Sequence, residues 1–220
     1  MYLRTIYELE EEGVIPLRAR IAERLGQSGP TVSQTVARME RDELLLVSPD
    51  RSLKLTEEGR ITAVNVMRKH RLAERLLVDV IGLDIEKVHA EACRWEHVMS
   101  DDVERRLVEV LSDPTISPYG NPIPGLERIG FEAAEVDTDG LVRLTEIPEG
   151  SPVRVRVHSF GEVIQEDAAL ISVVRAEGAD GKRVVEAVRS GDSISLKTAD
   201  GDHISVHPDR AHAVQVAFVG

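Results

Sequence analysis

The chain contains little of what marks a secreted, membrane-embedded or disulfide-stabilised protein. It has one cysteine in 220 residues, which excludes an internal disulfide and is typical of a reducing cytoplasm. No apolar run approaches the ~20 residues needed to cross a bilayer. The first ten residues lack the basic start and apolar core of a signal peptide. We therefore expect a cytoplasmic protein, and its length suggests one large domain or two to three small ones.

Basic residues are also scarce. The chain has 27 lysines and arginines against 39 aspartates and glutamates, which gives a net charge of −12. At first sight this balance argues against nucleic acid as a partner. The deficit is uneven, however, since residues 131–220 carry 9 basic and 16 acidic side chains and residues 1–60 carry 9 and 11. The first segment can therefore still present a basic face.

Several catalytic motifs are missing as well. The sequence has no His-Glu-x-x-His, no recognisable Ser/His/Asp set, no glycine-rich phosphate loop and no internal repeat. We therefore expect no enzyme, no small-molecule substrate and no membrane partner. A metallohydrolase that uses a His/Cys/Glu cluster is the alternative from another class, and a metal-storage protein is a third possibility.

A candidate metal cluster lies in a stretch without glycine or proline, which predicts one long helix over Asp84–Leu111. At about 100° per residue, two imidazoles, a carboxylate and the only thiol fall within an arc of roughly 100° on one face. These residues are His89, Cys93, Glu96 and His97. Late first-row divalent metals prefer such nitrogen and sulfur ligands.

A second pair, His70 and Glu74, lies four residues apart on a predicted helix over Glu57–Val80. Taken alone, it could equally be an ordinary surface pair. The short link at 81–84 favours antiparallel packing of the two helices, which brings both ligand sets close together. Two adjacent metal sites are therefore plausible.

The N-terminal segment predicts a helix-turn-helix, with helices over Met1–Glu12, Leu17–Leu25 and Pro30 to about Arg41. On the third helix, Val32, Val36 and Met39 form the face that packs. The opposite face carries Pro30, Thr31, Gln34, Arg38 and Arg41. Such a helix suits a major groove, with Gln34 reading an adenine edge and the arginines on phosphates, but it could also be a solvated amphipathic helix.

The residues that follow favour the first interpretation. Two short runs, 44–47 and 52–56, read as strand, turn and strand, which is the wing of a winged helix-turn-helix with Arg51 at its tip.

Trp95 projects away from the metal-binding face and is either plain core or a dimer anchor. The proline-rich segment 117–124 is predicted to be extended, and 132–140 to be a polar tether.

From Leu141 onward the pattern changes to short β-type runs separated by turns, with one possible helix over Gln165–Ala176. These runs predict a small SH3-like barrel. The predicted organisation is a winged helix-turn-helix domain (1–64), a helical domain that carries the candidate metal ligands (65–131), a linker (132–140) and an SH3-like domain (141–220). The fold class is thus mainly α in the first two-thirds, with a C-terminal β-barrel.

At this point the chain strongly resembles the diphtheria toxin repressor family, in particular its actinobacterial iron-dependent regulators. The matching motifs are MYLRTIY at 1–7, LRARIAERL at 17–25, QSGPTVSQTV at 27–36, MRKHRLAERLL at 67–77, EACRWEHVMS at 91–100 and GNPIPG at 120–125. They cover residues 1–130 almost continuously, whereas 141–220 match more loosely.

The resemblance implies a homodimeric repressor of iron-homeostasis genes that binds palindromic operators when loaded with Fe²⁺ at two sites per subunit. Co²⁺, Ni²⁺, Mn²⁺ or Zn²⁺ can substitute, and a manganese-responsive regulator is the alternative within the family. The implied primary site consists of Met1, Cys93, Glu96 and His97. The implied ancillary site consists of His70, Glu74 and His89, completed by Glu162 and Gln165 from the third domain.

The DNA contacts that the resemblance implies are Arg18, Ser28, Pro30, Thr31, Ser33, Gln34, Arg38, Arg41 and Arg51. It also implies that segment 118–124 docks on the SH3-like domain in the metal-free state.

The sequence departs from the family at two positions. Family members usually have several more residues before the methionine that is Met1 here, and they usually have a glycine where this chain has Glu43. If the recognition helix ends in a left-handed residue there, Glu43 carries a strain of about 1 kcal/mol.

Overall fold

A computed structural model describes residues 1–131, 138–174, 184–191, 193–198, 201 and 203–219. The N-terminal unit contains three helices, α1 (Tyr2–Glu11), α2 (Arg18–Leu25) and α3 (Gly29–Arg41). An antiparallel hairpin of β1 (Leu45–Val47) and β2 (Leu53–Leu55) follows. The predicted winged helix-turn-helix is confirmed. Its core consists of Ile6, Leu9, Ile21, Val32, Val36, Leu45 and Leu53.

The turn between α2 and α3 is built by local backbone chemistry. Gly26 adopts the left-handed conformation (φ 60°) that ends α2, and glycine meets no Cβ penalty there. Ser28 then caps α3, since its hydroxyl accepts a hydrogen bond from the Thr31 amide at 3.3 Å. The left-handed glycine and the serine N-cap together fix the direction in which α3 leaves the turn, and so orient its exposed face.

The helical middle of the chain differs from the prediction in one respect. Helix α4 spans Glu57–Asp79 as expected, but the predicted helix over 84–111 is two helices, α5 (Ile85–Trp95) and α6 (Asp101–Val110). The break arises because the Ser100 hydroxyl accepts from the Val103 amide and starts a new helix, whose first turn holds three acidic residues that favour its positive end. Glu96 and His97 therefore lie just beyond the end of α5.

The C-terminal unit is a six-stranded antiparallel sheet with strand order β3-β8-β4-β5-β6-β7. The strands are β3 (Leu141–Arg143), β4 (Val153–Phe160), β5 (Val184–Ser190), β6 (Ser193–Thr198), β7 (His203–Val206) and β8 (Val214–Phe218). Of the regions predicted from sequence, the tether at 132–137, the strand start at 183 and most of the turn at 199–202 lie outside the described residues.

The helix predicted over 165–176 is also interrupted. The structure has α7 (Glu162–Gln165) and α8 (Ala168–Val174), with a short α9 (Pro208–Ala211) before β8. Asp167 separates the first two because its carboxylate accepts from the Leu170 amide at 3.0 Å and starts α8. Residues 175 and 176 of the predicted helix lie outside the described residues.

Segment 117–124 is a compact, largely buried loop and not the extended linker predicted from its prolines. The Tyr119 hydroxyl donates to the Ile85 carbonyl at 2.8 Å, and the Tyr119 carbonyl accepts from the Phe160 amide at 3.0 Å. A Cβ on Gly120 would lie 2.1 Å from the His158 carbonyl oxygen, so the loop approaches β4 at a distance that only glycine allows. The loop thus joins the helical unit to the sheet.

The sheet also shares a buried core with α4 and α5. One buried cluster contains Ala73, Leu77, Val88 and Ala92 from these helices together with apolar residues of β4 to β8. This shared core brings α7 against α5, where the candidate metal ligands lie. No helix in the described part of the chain is long and apolar enough to cross a membrane.

Candidate metal centre and nucleic-acid interface

Helices α4 and α5 pack side by side and bring together two of the predicted ligand residues. The rings of His70 on α4 and His89 on α5 meet edge to face, with centroids 5.0 Å apart. His70 and Glu74 are completely buried, and His89 is nearly so. Buried ionisable groups in such a cluster are costly unless each has a partner, so this corner of the fold requires a specific explanation.

The chemistry of the cluster fits a bound cation. His70 Nε2 lies 2.8 Å from Glu74 Oε1, but neither atom is aligned in a hydrogen bond within the described residues, and Glu74 Oε2 also has none. The first two atoms form only a close ion pair, and a native interior rarely leaves a buried carboxylate oxygen such as Glu74 Oε2 without a partner. A metal ion would satisfy them, because imidazole nitrogen and carboxylate oxygen are its usual ligands.

Cys93 joins the same corner. One nitrogen of His70, one of His89 and Cys93 Sγ all lie within 4.8 Å of one another. The resemblance to the family implied Cys93 in the primary site and both histidines in the ancillary site. The structure therefore brings together donors from both predicted sets.

The ionisation of this cluster follows from its packing. Burial opposes ionisation of the Cys93 thiol, but hydrogen bonds to His70 and His89 and the charge of Arg4 lower its pKa to about 5. Burial likewise opposes charge on His89, whose contacts with Cys93 and Glu74 nevertheless raise its pKa to about 10. Burial also opposes charge on Glu74, and the two histidines lower its pKa to about 2. These pKa shifts favour charged imidazoles beside a thiolate and a carboxylate.

The two residues that the third domain was expected to supply have different surroundings. Gln165 Oε1 lies 2.7 Å from His89 Nδ1, so Gln165 reaches the ancillary set. The Glu162 carboxylate instead accepts from Arg71 Nε at 3.0 Å, and Arg71 also pairs with Glu11 on α1. Both residues are buried on α7, but only Gln165 contacts a predicted ligand in this conformation.

The predicted primary ligands line one cavity of about 640 Å³, which α1, α2, α5, α7 and α9 enclose. Its walls include Met1, Cys93, Glu96 and His97. Glu96 is buried and pairs with His70 Nδ1 at 2.8 Å, whereas the side chain of His97 is 49% exposed. The four residues share a cavity without converging on one point as His70, His89 and Cys93 do.

Sequence reasoning missed Arg4. Its guanidinium reaches into the cavity from α1, bonds to Glu96, and lies 3.6 Å and 3.7 Å from Cys93 Sγ. Arg4 and Glu8 are one helical turn apart and ion-paired on the buried side of α1. That spacing is visible in the sequence and predicts the pair, but it gives no indication of what the pair faces.

The predicted DNA-binding residues form an exposed surface on the N-terminal unit. Ser28, Pro30, Thr31, Ser33, Gln34, Arg38 and Arg41 are all exposed along α3, and Arg51 is exposed at the tip of the hairpin. Arg18 at the start of α2 is half-buried. The inner face of the same helix is buried at Val32 and Val36, as predicted. The surface therefore combines a polar helix face with cations on both sides, which fits a duplex groove.

Comparison with protein-family models shows which family the chain belongs to. Residues 1–53 match the N-terminal DNA-binding domain of the iron-dependent repressors, and residues 56–125 match their metal binding and dimerisation domain. Residues 139–218 match the SH3 domain of the diphtheria toxin repressor. The chain belongs to the iron-dependent repressor family.

Individual relatives are similar over the whole length. The iron-dependent repressor IdeR of Mycobacterium tuberculosis is 60% identical over 221 residues, covering 100% of this chain and 96% of the relative. The diphtheria toxin repressor of Corynebacterium efficiens is 59% identical over 219 residues, covering 100% and 94%.

Two solved structures have the same fold. T. acidophilum IdeR gives a TM-score of 0.74 at 25% identity, covering 99% of this chain and 96% of that chain. The apo form of the manganese-activated repressor ScaR gives 0.75 at 26%, covering 99% of each.

Membership confirms the family, the fold class and the repressor function predicted from the sequence. The members of this family are transcriptional repressors, so the expectation that the chain is not an enzyme is also confirmed. As an iron-dependent repressor, the chain binds DNA through its first unit. It binds a divalent metal and dimerises through its second.

Proposed function

We propose that the chain is an Fe²⁺-activated repressor that binds palindromic operators of iron-homeostasis genes in the cytoplasm as a homodimer. One observation carries this proposal. The donors His89 and Cys93 on α5 line a cavity whose other wall is α1 and α2 of the DNA-binding unit. Metal occupancy can therefore set the position of the recognition helix, which makes the coupling between metal and DNA allosteric.

We assign two metal sites to each subunit. Met1, Cys93, Glu96 and His97 would form the primary site. His70, Glu74, His89, Glu162 and Gln165 would form the ancillary site. The first assignment is supported by the shared cavity, and the second by the unsatisfied atoms of His70 and Glu74 and by the contact between Gln165 and His89. The bound ion supplies a positive charge that these donors otherwise take from protons and from Arg4.

Fe²⁺ is favoured over Mn²⁺ because the primary set contains a thioether and a thiolate, and Mn²⁺ prefers oxygen donors. We expect Co²⁺, Ni²⁺ and Zn²⁺ to substitute because they also accept sulfur and imidazole. A manganese-responsive regulator is the second candidate, supported by the structural likeness to manganese-activated ScaR. Free-metal titration of operator binding with each ion separates the two.

On DNA, we propose that α3 lies in the major groove. Gln34 would read an adenine edge, while Arg38, Arg41 and the wing residue Arg51 would contact phosphates. Ser28, Pro30, Thr31 and Ser33 at the start of the helix, and Arg18 on α2, would complete the contact surface. Their exposure on one side of the unit supports the assignment.

The domain division at 1–64, 65–131, 132–140 and 141–220 is part of the proposal. For the dimer contact we propose exposed apolar side chains of the helical unit, among them Val80 and Ile81 at the α4–α5 link and Val98 beyond the end of α5, which is 81% exposed. Trp95 is partly buried against the shared core, and its Nε1 donates to Glu91 at 2.7 Å.

Selection of bound DNA from a random pool tests the whole proposal. The pool is selected anaerobically with Fe²⁺ and in parallel with chelator, and we expect a palindromic sequence only with metal. His97→Ala should abolish this enrichment while the dimer persists in sedimentation. His203→Ala, which removes an exposed histidine of β7, is the matched control and should enrich the same sequence. Full operator binding by His97→Ala at the same free metal would show that the primary site is assigned wrongly.

A further inference from the structure

The C-terminal unit contacts the DNA-binding unit at the end of α1. The amides of Gly13 and Val14 donate back into the last turn of that helix at 3.0 Å and 2.8 Å, which closes it in a Schellman motif. The motif leaves the carbonyls of Glu11 and Glu12 without a partner in the helix. Such carbonyls carry partial negative charge, so they favour a cation beside them.

Arg143 of the C-terminal unit supplies that cation. It ends β3, and its guanidinium donates to the Glu12 carbonyl and, at 3.3 Å, to the Glu11 carbonyl. The guanidinium also packs closely on Gly13, since a Cβ at that position would lie 2.6 Å from Arg143 Nη2. Any larger residue at position 13 would therefore displace the arginine. The end of α1 and Arg143 thus fit each other in both charge and shape.

His212 makes a second contact with the same end of α1. It follows α9, and its Nε2 lies 3.1 Å from Glu12 Oε2. The Glu12 side chain is only 3% exposed. Burial alone would raise the pKa of this carboxyl, but hydrogen bonds from His212 and Arg24 lower the pKa below its usual value, so the group stays charged. Arg24 belongs to the DNA-binding unit itself, whereas His212 reaches Glu12 from the C-terminal unit.

These contacts connect the DNA-binding unit to the rest of the fold. The C-terminal unit shares a buried core with α4 and α5, so its grip on α1 helps to fix where α1 lies relative to those helices. Because α1 is a single helix of ten residues, holding its last turn also holds its first turn. That first turn carries Arg4, whose guanidinium contacts Glu96 and Cys93.

We propose that Arg143 and His212 form a brace that holds α1, and with it the DNA-binding unit, in the arrangement that keeps Arg4 on the proposed primary ligands. A metal ion that competes with Arg4 then also has to shift α1 against these two contacts. Loosening the brace should therefore lower the amount of metal needed for operator binding. This direction rests on the proposed function, whereas the docking of the C-terminal unit on α1 does not.

The docking contact is tested first, without metal or DNA. Hydrogen exchange of the α1 backbone amides is measured by mass spectrometry on the full chain with chelator present. Arg143→Ala should speed exchange in α1, and Arg143→Lys should restore it toward wild type because lysine keeps a cation beside the carbonyls. Arg156→Ala, which removes an exposed arginine of β4, is the matched control and should leave α1 unchanged. Unchanged exchange in Arg143→Ala would overturn the brace.

The effect on activation is tested with labelled operator in anaerobic, chelator-buffered Fe²⁺. Arg143→Ala should lower the free Fe²⁺ at half-maximal binding by about two- to tenfold, the effect of losing one hydrogen bond. Affinity for operator at saturating Fe²⁺ should stay that of wild type, because Arg143 lies outside the proposed DNA surface. A general loss of structure would instead weaken binding at every metal concentration.

His212→Ala should shift the metal requirement in the same direction, and it serves as the second variant if circular dichroism shows that Arg143→Ala does not fold. A metal requirement that stays the same or rises in the folded variants would overturn the restraining role of the brace. Wild type that never binds operator with any metal would overturn the proposed function, while hydrogen exchange would still decide on the docking contact.

Discussion

Arg4 contacts two of the residues that we propose as primary metal ligands, Glu96 and Cys93. Its guanidinium bonds to Glu96 and approaches Cys93 Sγ at 3.6 Å, and its side chain is only 11% exposed. We expect a metal ion to compete with Arg4 for both side chains. Arg4→Ala should therefore lower the amount of metal needed for activation.

The size of the effect follows from the bonds that metal must break. A hydrogen bond to a charged group contributes about 1.5–3 kcal/mol when it is buried. Losing one such competitor should reduce the free metal at half-maximal operator binding by about ten- to one-hundred-fold, since 1.4 kcal/mol corresponds to tenfold. The contact with Cys93 is longer and adds less.

The assay is fluorescence anisotropy of labelled operator in anaerobic, chelator-buffered Fe²⁺. Arg24→Ala is the matched control, because Arg24 lines the same cavity and bonds Glu12 at 2.9 Å and 2.7 Å. It touches none of the proposed ligands in these contacts, so its metal requirement should stay near that of wild type. An Arg4→Ala variant that needs as much metal as wild type, or more, would refute the competition between guanidinium and metal.

Three further predictions concern DNA reading and metal choice. Gln34→Ala should weaken the preferred operator by about 1–3 kcal/mol and relax selectivity at one base pair, measured by binding to a panel of single-base variants. Arg38→Ala should weaken all DNA alike and reduce the slope of log affinity against log salt by about one unit. Cys93→Asp replaces a soft donor with a hard one of the same charge. The free Fe²⁺ and free Mn²⁺ concentrations at half-maximal operator binding should therefore lie closer together than in wild type. An unchanged gap would count against Cys93 as an activating ligand.

The sequence predicted most of the elements and located the candidate ligand residues because their spacing is local. The four-residue interval between His70 and Glu74 places both on one helix face wherever that helix packs. Periodicity likewise located α3 and the hairpin. These features are set by the backbone within one or two turns, so they can be predicted without knowing the tertiary fold.

The sequence could not show which residues from distant elements would meet. Arg4 lies 92 positions from Glu96, and Arg71 lies 91 positions from Glu162. No periodicity links such pairs, since only the packing of α1 and α7 on α4 and α5 brings them together. For the same reason, the sequence assigned Glu162 to the metal without anticipating the arginine that binds it here. The break before Ser100 was predictable in principle, because a serine followed by acidic residues is a helix start.

Glu43 is a position where a sequence prediction about backbone strain can be compared with the structure. It has φ 57°, in the left-handed region that glycine occupies readily. The Glu43 amide donates to the Glu40 carbonyl at 3.1 Å, and the Leu44 amide donates to the Met39 carbonyl at 2.9 Å. These bonds form a Schellman motif at the end of α3, and packing of Leu44 near Met39 is its usual companion. The motif requires the left-handed residue, so Glu43 bears the strain.

Glu43→Gly should therefore stabilise the protein, because it keeps both backbone bonds and removes the Cβ clash. The strain is about 1–2 kcal/mol, and glycine loses about 0.5–1 kcal/mol more chain entropy on folding, so the net gain is about 0.5–1 kcal/mol. For a chain of this length that corresponds to a rise in Tm of about 1–4 °C, measured by thermal unfolding with chelator present. Glu43→Ala is the control, since alanine removes the charge but keeps the Cβ. If alanine raised Tm as much as glycine, the charge of Glu43 and not its backbone would be the source of the instability.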